Sequence, residues 1–536
     1  MPCWPSSSAP VPPARHCRPD SPEPRNWLRS GCRSWTRRAH SPASRRSPRS
    51  STSASSTSRS PIPSREPKVC SSWSSRRTTV RVSPPASRPA GIVPSCGRST
   101  IVGEVTAVLP DPYPIRPFTG PIQATVVVPG SKSITNRALL CAALASGVTR
   151  LDGVLLADDT EAMLDCVAAL GASVQIDRSS CSVLIEGTGG RVLDTGRAID
   201  VRQSGTTARF ISAALLLADH DRLIDAAPQM RARPMGPTFA ALRSVGAGVV
   251  ETGAADHLPA TIRGAVSATR PTVVLAADLS SQFISGLLLV APCLVHGLRI
   301  ELSTEAVSAP YLAMTVAVMR AFGAEVDDRV PGVYLVAPGG YRGREYAIEP
   351  DASAASYFFA AAAIRGGTVR IEGLGSGSIQ GDVGFVDVLA AMGAEVEVES
   401  GSVRVTGREL HGVDVDLSAI SDTAQTLAAV AAHADGATRV RGIGFIRAKE
   451  TDRIAAVVTE LRRCGVGATE LDDGFEVVPA PIRPATVHTY DDHRMAMSSA
   501  LLGLRSPGIE IADPSCVSKT FPGFFEVLES LRPESP

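Results

Sequence analysis

Seven short motifs hold the side chains of this 536-residue chain that could do chemistry. V-P-G-S-K-S-I-T-N-R at 128–137 sets Lys132 and Arg137 beside a break at Pro129 and Gly130. Ser131 or Ser133 can cap a helix that begins there, which puts Lys132 at the helix entrance and Arg137 one turn in from Ser133. Exposed amides at a helix start together with two cations make an oxyanion or phosphate site. Q-S-G-T-T-A-R at 203–209 is a small-residue loop at a predicted helix start, suited to backbone contact with an anion. M-R-A-R-P at 230–234 places Arg233 before a proline, and L-S-S-Q-F at 279–283 offers two hydroxyls and an amide. K-E-T-D-R at 449–453 packs four charges into little more than one turn, while D-D-H-R-M-A-M at 491–497 and S-K-T-F-P at 518–522 supply Arg494 and Lys519.

A lone charge of this kind reads as a surface or ion-pair residue. Lys132, Arg137, Arg233, Arg453, Arg494 and Lys519 taken together read differently, because the part of the chain that holds them is net negative. Residues 1–100 carry 17 Arg and one Lys against three acids, a balance of +15; with +1 for the whole, the rest carries −14. Cations kept in Gly-, Ser- and Pro-flanked motifs suit small polyanionic substrates. A nucleotide P-loop is disfavoured, since Ser131 precedes Lys132 and Val126 stands at the first glycine position. A nucleic-acid face would interleave aromatics with the cations, and aromatics are only 4% of the chain.

The elements that must position these residues show in a repeat. An amphipathic helix ends at or near Gly-Ala and a Val-rich strand follows, with glycines at 171, 246, 323, 393 and 465, at intervals of 75, 77, 70 and 72. Glycine closes a helix in the left-handed conformation and redirects the chain. A unit of about 70 residues is too long for a solenoid repeat and fits one small α/β subdomain. The closing helix at 524–531 reads as a sixth copy cut off at the chain end. Residues 1–104 differ: an Arg/Ser/Pro-rich, disordered extension without helical or strand period. It reads as upstream translation foreign to the natural protein, as a targeting peptide or as a basic arm. Residues 286–295 are apolar but short and broken by Pro292, so they read as core. The six cysteines after residue 100 lack C-x-x-C spacing and read as buried thiols in a reducing compartment.

The order P-G-S-K-S, S-G-T, R-x-R-P, S-S-Q-F, K-E-T-D-R, D-D-H-R-M-A-M and K-T-F-P resembles the EPSP synthase family (3-phosphoshikimate 1-carboxyvinyltransferases) over some 400 residues. The resemblance implies an α/β, two-domain enolpyruvyl transferase fold. Each domain would be three βαβαββ units in an inverse α/β barrel-like array, with the active site in the interdomain cleft. Domain one would hold 105–130 plus 349–536, and domain two 131–348. It further implies transfer of the enolpyruvyl group of phosphoenolpyruvate to the 5-hydroxyl of shikimate 3-phosphate, in the shikimate pathway to chorismate and aromatic amino acids. No cofactor and no metal are expected, no nucleic acid or membrane partner, and a cytoplasmic monomer. Residue by residue, Lys132, Ser133, Arg137, Ser280, Ser281, Gln282, Ser308, Asp422 and Lys449 are implied for shikimate 3-phosphate. Lys132, Gly205, Arg233, Gln282, Arg453, Arg494 and Lys519 are implied for phosphoenolpyruvate, a pocket that the inhibitor glyphosate occupies in the family. The implied proton carriers are Asp422 on the 5-hydroxyl side, with Glu450 and Lys132 on the methylene side.

Two departures stand out. Gln203 replaces the Asn usual before the glycine loop, and Phe445 stands where some members have Asn. The nearest rival, UDP-N-acetylglucosamine 1-carboxyvinyltransferase, usually has Asn after the motif lysine and Cys in a mobile loop. Here Ser133 follows Lys132, and 226–236 contains no Cys. A non-catalytic anion-binding homologue would need Asp422, Glu450 or Lys132 replaced, and all three are present.

Overall fold

The computed structural model describes residues 109–264, 271–278 and 280–532, so the expectation for 1–104 lies outside the described residues. The repeat is a four-stranded sheet built five times. Ile199–Asp200 runs parallel to Arg222–Asp225, which pairs antiparallel with Ala260–Arg263, itself antiparallel to Gly248–Glu251. The same order recurs in Thr272–Leu275, Leu298–Leu302, Val333–Val336 and Val326–Asp327. It recurs again in Asp414–Asp416, Thr438–Arg441, Gly474–Val478 and Gly467–Leu471. A helix follows each of the first two strands, as parallel neighbours require a crossover. The five glycines close helices with φ between +82° and +111°, a range that a β-carbon would strain.

The other two four-stranded sheets exchange their edge strands. Ile122–Val126 precedes the Lys132–Leu144 helix, yet it pairs with Gly367–Glu372 far along the chain. Glu345–Ala347 precedes the Ala352–Arg365 helix and instead pairs with Val148–Asp152. The sixth copy is shorter than the others, as expected, with a sheet of three strands rather than four. Its sheet of Ala485–Val487 and Ile509–Ile511 is completed by Tyr113–Ile115 from the start of the described chain. Two separate apolar cores result, one within 134–348 and the other from 115–128 and 352–531. Phe445 packs against the second core. Cys141, Cys166, Cys464 and Cys516 are buried, whereas Cys181 and Cys293 are half-exposed, contrary to the expectation for all six. Among the described residues, no helix is long and apolar enough to cross a membrane.

The chain passes between the cores at two adjacent places. Gly130 bridges Pro350; Ser131 N–H donates to the Glu349 carbonyl and Asp351 N–H to that of Pro129, each at 2.8 Å. A β-carbon on Gly130 would stand 1.9 Å from the Gly153 carbonyl oxygen, so only glycine allows this approach. Ser131, rather than Ser133, caps the first helix, accepting from Ile134 N–H at 3.4 Å. Asp351 caps both helices. Its carboxylate accepts from Ala354 N–H at 2.8 Å and from Lys132 N–H at 2.9 Å. Asp351→Ala removes one capping bond from each helix, and the expected loss is about 2 kcal/mol, read from the urea midpoint; Asp351→Asn should lose less than half of that.

Candidate active site

Two buried carboxylates collect the cations of the motifs. Glu450 accepts from Arg453 Nη2 at 2.7 Å, and Arg233 Nη1 and Lys519 Nζ both lie 3.6 Å from its other oxygen. Asp422 accepts from Arg494 Nη2 at 2.7 Å and Arg453 Nη1 at 3.3 Å. Arg453 is held in place by Asp492, which accepts from its Nε at 2.7 Å. Asp492 also caps the His493–Ala500 helix through Arg494 N–H, so one carboxylate orients two of the cations. Lys132 Nζ stands 3.2 Å from Asp159. Arg209, one turn into the Gly205–Ala214 helix, lies against the Arg233 side. A β-carbon on Gly205 would meet Nη1 of both arginines at 2.7 Å, so glycine leaves the two guanidinium groups their place.

Arg137 ties three helices together within their first two turns. Its Nε donates to Thr315 at 2.8 Å, Nη1 to the Ser133 carbonyl at 2.8 Å, and Nη2 to Ser285 at 3.3 Å and the Tyr311 carbonyl at 3.2 Å. These partners lie near the starts of Lys132–Leu144, Ser281–Val290 and Ala309–Ala321, so Ser133, Ser280, Ser281 and Ser308 share one neighbourhood. Gln282 donates to Thr206 at 3.3 Å, which links this group to the Gly205 loop. Tyr311 O–H reaches Asp382 at 3.1 Å and Asp422 at 3.3 Å in the other half of the chain. The halves meet elsewhere through Ser308 N–H and the Ser418 carbonyl at 3.0 Å, Gln203 and Asp491 at 3.2 Å, and Lys519 and the Gln203 carbonyl at 3.3 Å.

The charges decide the protonation states. Burial pushes Asp422 and Glu450 up, but the surrounding cations outweigh it and hold both well below the ordinary carboxylate range. Burial lowers Lys449, which sits near Asp422, Glu450 and Arg453, and lowers Arg137 to about 10. His493 is held neutral by burial and by Lys132 and Arg494. Clustered cations beside two carboxylates are the chemistry of an anion site with groups that can carry protons.

A family model described as EPSP synthase (3-phosphoshikimate 1-carboxyvinyltransferase) matches residues 118–528. The chain belongs to the EPSP synthase family. It is 42% identical over 425 residues to a 3-phosphoshikimate 1-carboxyvinyltransferase of Nostoc punctiforme, covering 78% of this chain and 100% of that protein. The Edwardsiella ictaluri enzyme of the same name is 41% identical, with 78% and 97% covered. The EPSP synthase structure from Acinetobacter baumannii superposes with a TM-score of 0.68 at 27% identity, covering 78% and 98%. NikO from Streptomyces tendae, an enolpyruvyl transferase, shares the fold at a TM-score of 0.64 and 19% identity, covering 79% and 98%. The fold is therefore that of the two-domain enolpyruvyl transferases.

Arg233, Asp422, Glu450, Arg453, Arg494 and Lys519 form one connected cluster. Lys132 and Lys449 act on Asp422 through charge. Among the described residues, the hydroxyls of Ser133, Ser280, Ser281 and Ser308 make no bond to those two carboxylates. Sequence reasoning missed Arg209, Tyr311, Asp382, Asp492 and His493. Asp492 and His493 lay inside a quoted motif and Arg209 ended one, so proximity to a singled-out cation was their signal. Tyr311 and Asp382 had none. Both depressed carboxylates stabilise the fold above the unfolded range near 4 and lose that contribution as pH falls through their folded values. Glu450→Gln should therefore flatten the drop of the urea midpoint below about pH 4.5, measured against the wild-type profile.

Proposed function

We propose that the chain transfers the enolpyruvyl group of phosphoenolpyruvate to the 5-hydroxyl of shikimate 3-phosphate, releasing phosphate, with the residue roles set out here. The observation that carries the reading is the excess of buried cations over carboxylates. Arg233, Arg453, Arg494 and Lys519, four cations, face the three carboxylates of Glu450, Asp422 and Asp492. Arg137 has only neutral hydrogen-bond acceptors among the described residues. A phosphate and a carboxylate entering such a site replace water with fixed charge-assisted bonds. The donor takes the Gly205 side, with Arg233, Arg453, Arg494 and Lys519 as its clamp and Gln282 and Lys132 between the two substrates. The acceptor takes the helix starts, with its phosphate at Ser133, Arg137, Ser280, Ser281 and Ser308 and its ring hydroxyls near Asp422 and Lys449.

The steps follow from the charges. Asp422 takes the proton of the 5-hydroxyl as its oxygen bonds to the central carbon of phosphoenolpyruvate. Glu450, with Lys132, gives a proton to the methylene carbon, and a tetrahedral intermediate forms. The same carboxylate takes a proton back from that carbon as the carbon–oxygen bond to phosphate breaks. Arg453, Arg233 and Lys519 hold Glu450 ionised. An incoming anion draws those cations to itself, so Glu450 gains affinity for the proton it must donate. Asp422 is a weak base until the acceptor engages Lys449. Closing the halves excludes water and fixes both reactants.

The domain limits of 131–348, and of 105–130 with 349–536, belong to this reading and are supported by the two separate cores. One chain supplies residues from both halves, which supports a monomer. Small phosphorylated metabolites as substrates support a cytoplasmic place. The deciding measurement is phosphate release by purified protein with both substrates; no release above the single-substrate controls would sink the reading. Asp422→Asn and Glu450→Gln should each lower kcat by about 100-fold or more while both KM values move less than about threefold. Equal losses in binding would make them structural charges. Gly205→Ala displaces Arg209 and Arg233, so the KM for phosphoenolpyruvate should rise about tenfold with that for shikimate 3-phosphate little changed.

A further inference from the structure

One phenol lies between two carboxylates. Tyr311 O–H is 3.1 Å from Oδ2 of Asp382 and 3.3 Å from Oδ2 of Asp422. A phenol has one proton and can donate to only one of them. The Asp422 oxygen is also bound by Arg494, so it is the ionised acceptor. The Asp382 oxygen accepts a short bond from the Ser353 hydroxyl, and its second oxygen is buried without a partner. A carboxylate with one oxygen buried bare is costly, and a neutral acid is much less so. Both contacts of the phenol are satisfied when Asp382 carries a proton and donates it to the phenol oxygen, while the phenol donates to Asp422.

We infer that Asp382 is a neutral positioning residue, which orients Tyr311 toward Asp422 and thereby sets the base for the 5-hydroxyl. The groups facing it are Asp422, Asp351, Arg494, Ser353 and Tyr311, and burial with Asp422 pushes its carboxyl up to about 6. The placement also joins the base to the crossing strands. Ser353 lies in the first turn of the Ala352–Arg365 helix, and Gln380, two residues before Asp382, donates to Glu349 at 2.9 Å and the Pro350 carbonyl at 2.8 Å. Tyr311 comes from the other half, so the alignment of Asp422 is completed only when the halves meet.

The inference rests on Asp422 as base in the proposed reaction, and two measurements keep the two readings apart. The first is the infrared difference spectrum of wild type against Asp382→Asn near pH 5, below the raised value of the Asp382 carboxyl, which needs no turnover. A protonated-carboxyl stretch assigned to Asp382 is expected; carboxylate bands alone overturn the inference, whatever the activity. The second uses steady-state kinetics. Asp382→Asn supplies a neutral donor and should keep kcat within about threefold. Asp382→Ala should lower kcat about 30-fold with KM values nearly unchanged. The wild-type kcat profile should lose activity on an alkaline limb that is absent in Asp382→Asn. Equal losses in both variants, or the same limb in both proteins, refute the positioning role while leaving the transferase reading standing.

Discussion

Gly130 and Pro350 pair where the chain passes twice between its two cores, and the rest of the molecule depends on that pairing. The segments hold each other by backbone bonds, and Asp351 adds a carboxylate that caps the helix on each side. Glu349 next to it accepts from Ser378, from Ile379 N–H and from Gln380. The exchange of edge strands follows, because a strand that enters one half leads into a helix of the other. Lys132 stands at this crossing as the first residue of its helix, beside the charged face of the opposite half.

The opposing constraint is the cost of burying charge. Two unit charges 4 Å apart interact by about 4 kcal/mol at an effective dielectric near 20. Glu450 has three cations at 2.7 to 3.6 Å, enough to overcome the desolvation that burial imposes on it. Asp492 performs the same service for Arg453, offsetting the burial that would weaken its charge. Asp422 likewise offsets the burial of Arg494. The residue types serve position as much as charge, since one planar Arg453 group reaches Asp422 through Nη1, Glu450 through Nη2 and Asp492 through Nε and Nη2.

Much of the architecture could be read along the chain. A helix that ends at glycine is a local event, settled by the φ of one residue, and all five glycines of the repeat have the positive φ it requires. Capping is equally local, and Ser204, Asp452 and Asp492 act within three residues of themselves. The cations were legible because they lie in short motifs with Gly, Ser and Pro. Their assembly into a polyanion site could be argued from charge balance, since the rest of the chain is net negative.

What the sequence determined by itself was the set of local elements and the chemical kind of ligand, because helix stops, caps and clustered cations act within a turn or two of chain. Tertiary structure alone decided the pairings. It completed the sixth sheet with Tyr113–Ile115 from the far end and set Tyr311 between Asp382 and Asp422, 71 and 111 residues away. It also divided the cations between Glu450 and Asp422, and packed Phe445 against a core. These contacts depend on the order of the sheets and on the meeting of the two halves, and no local preference encodes either.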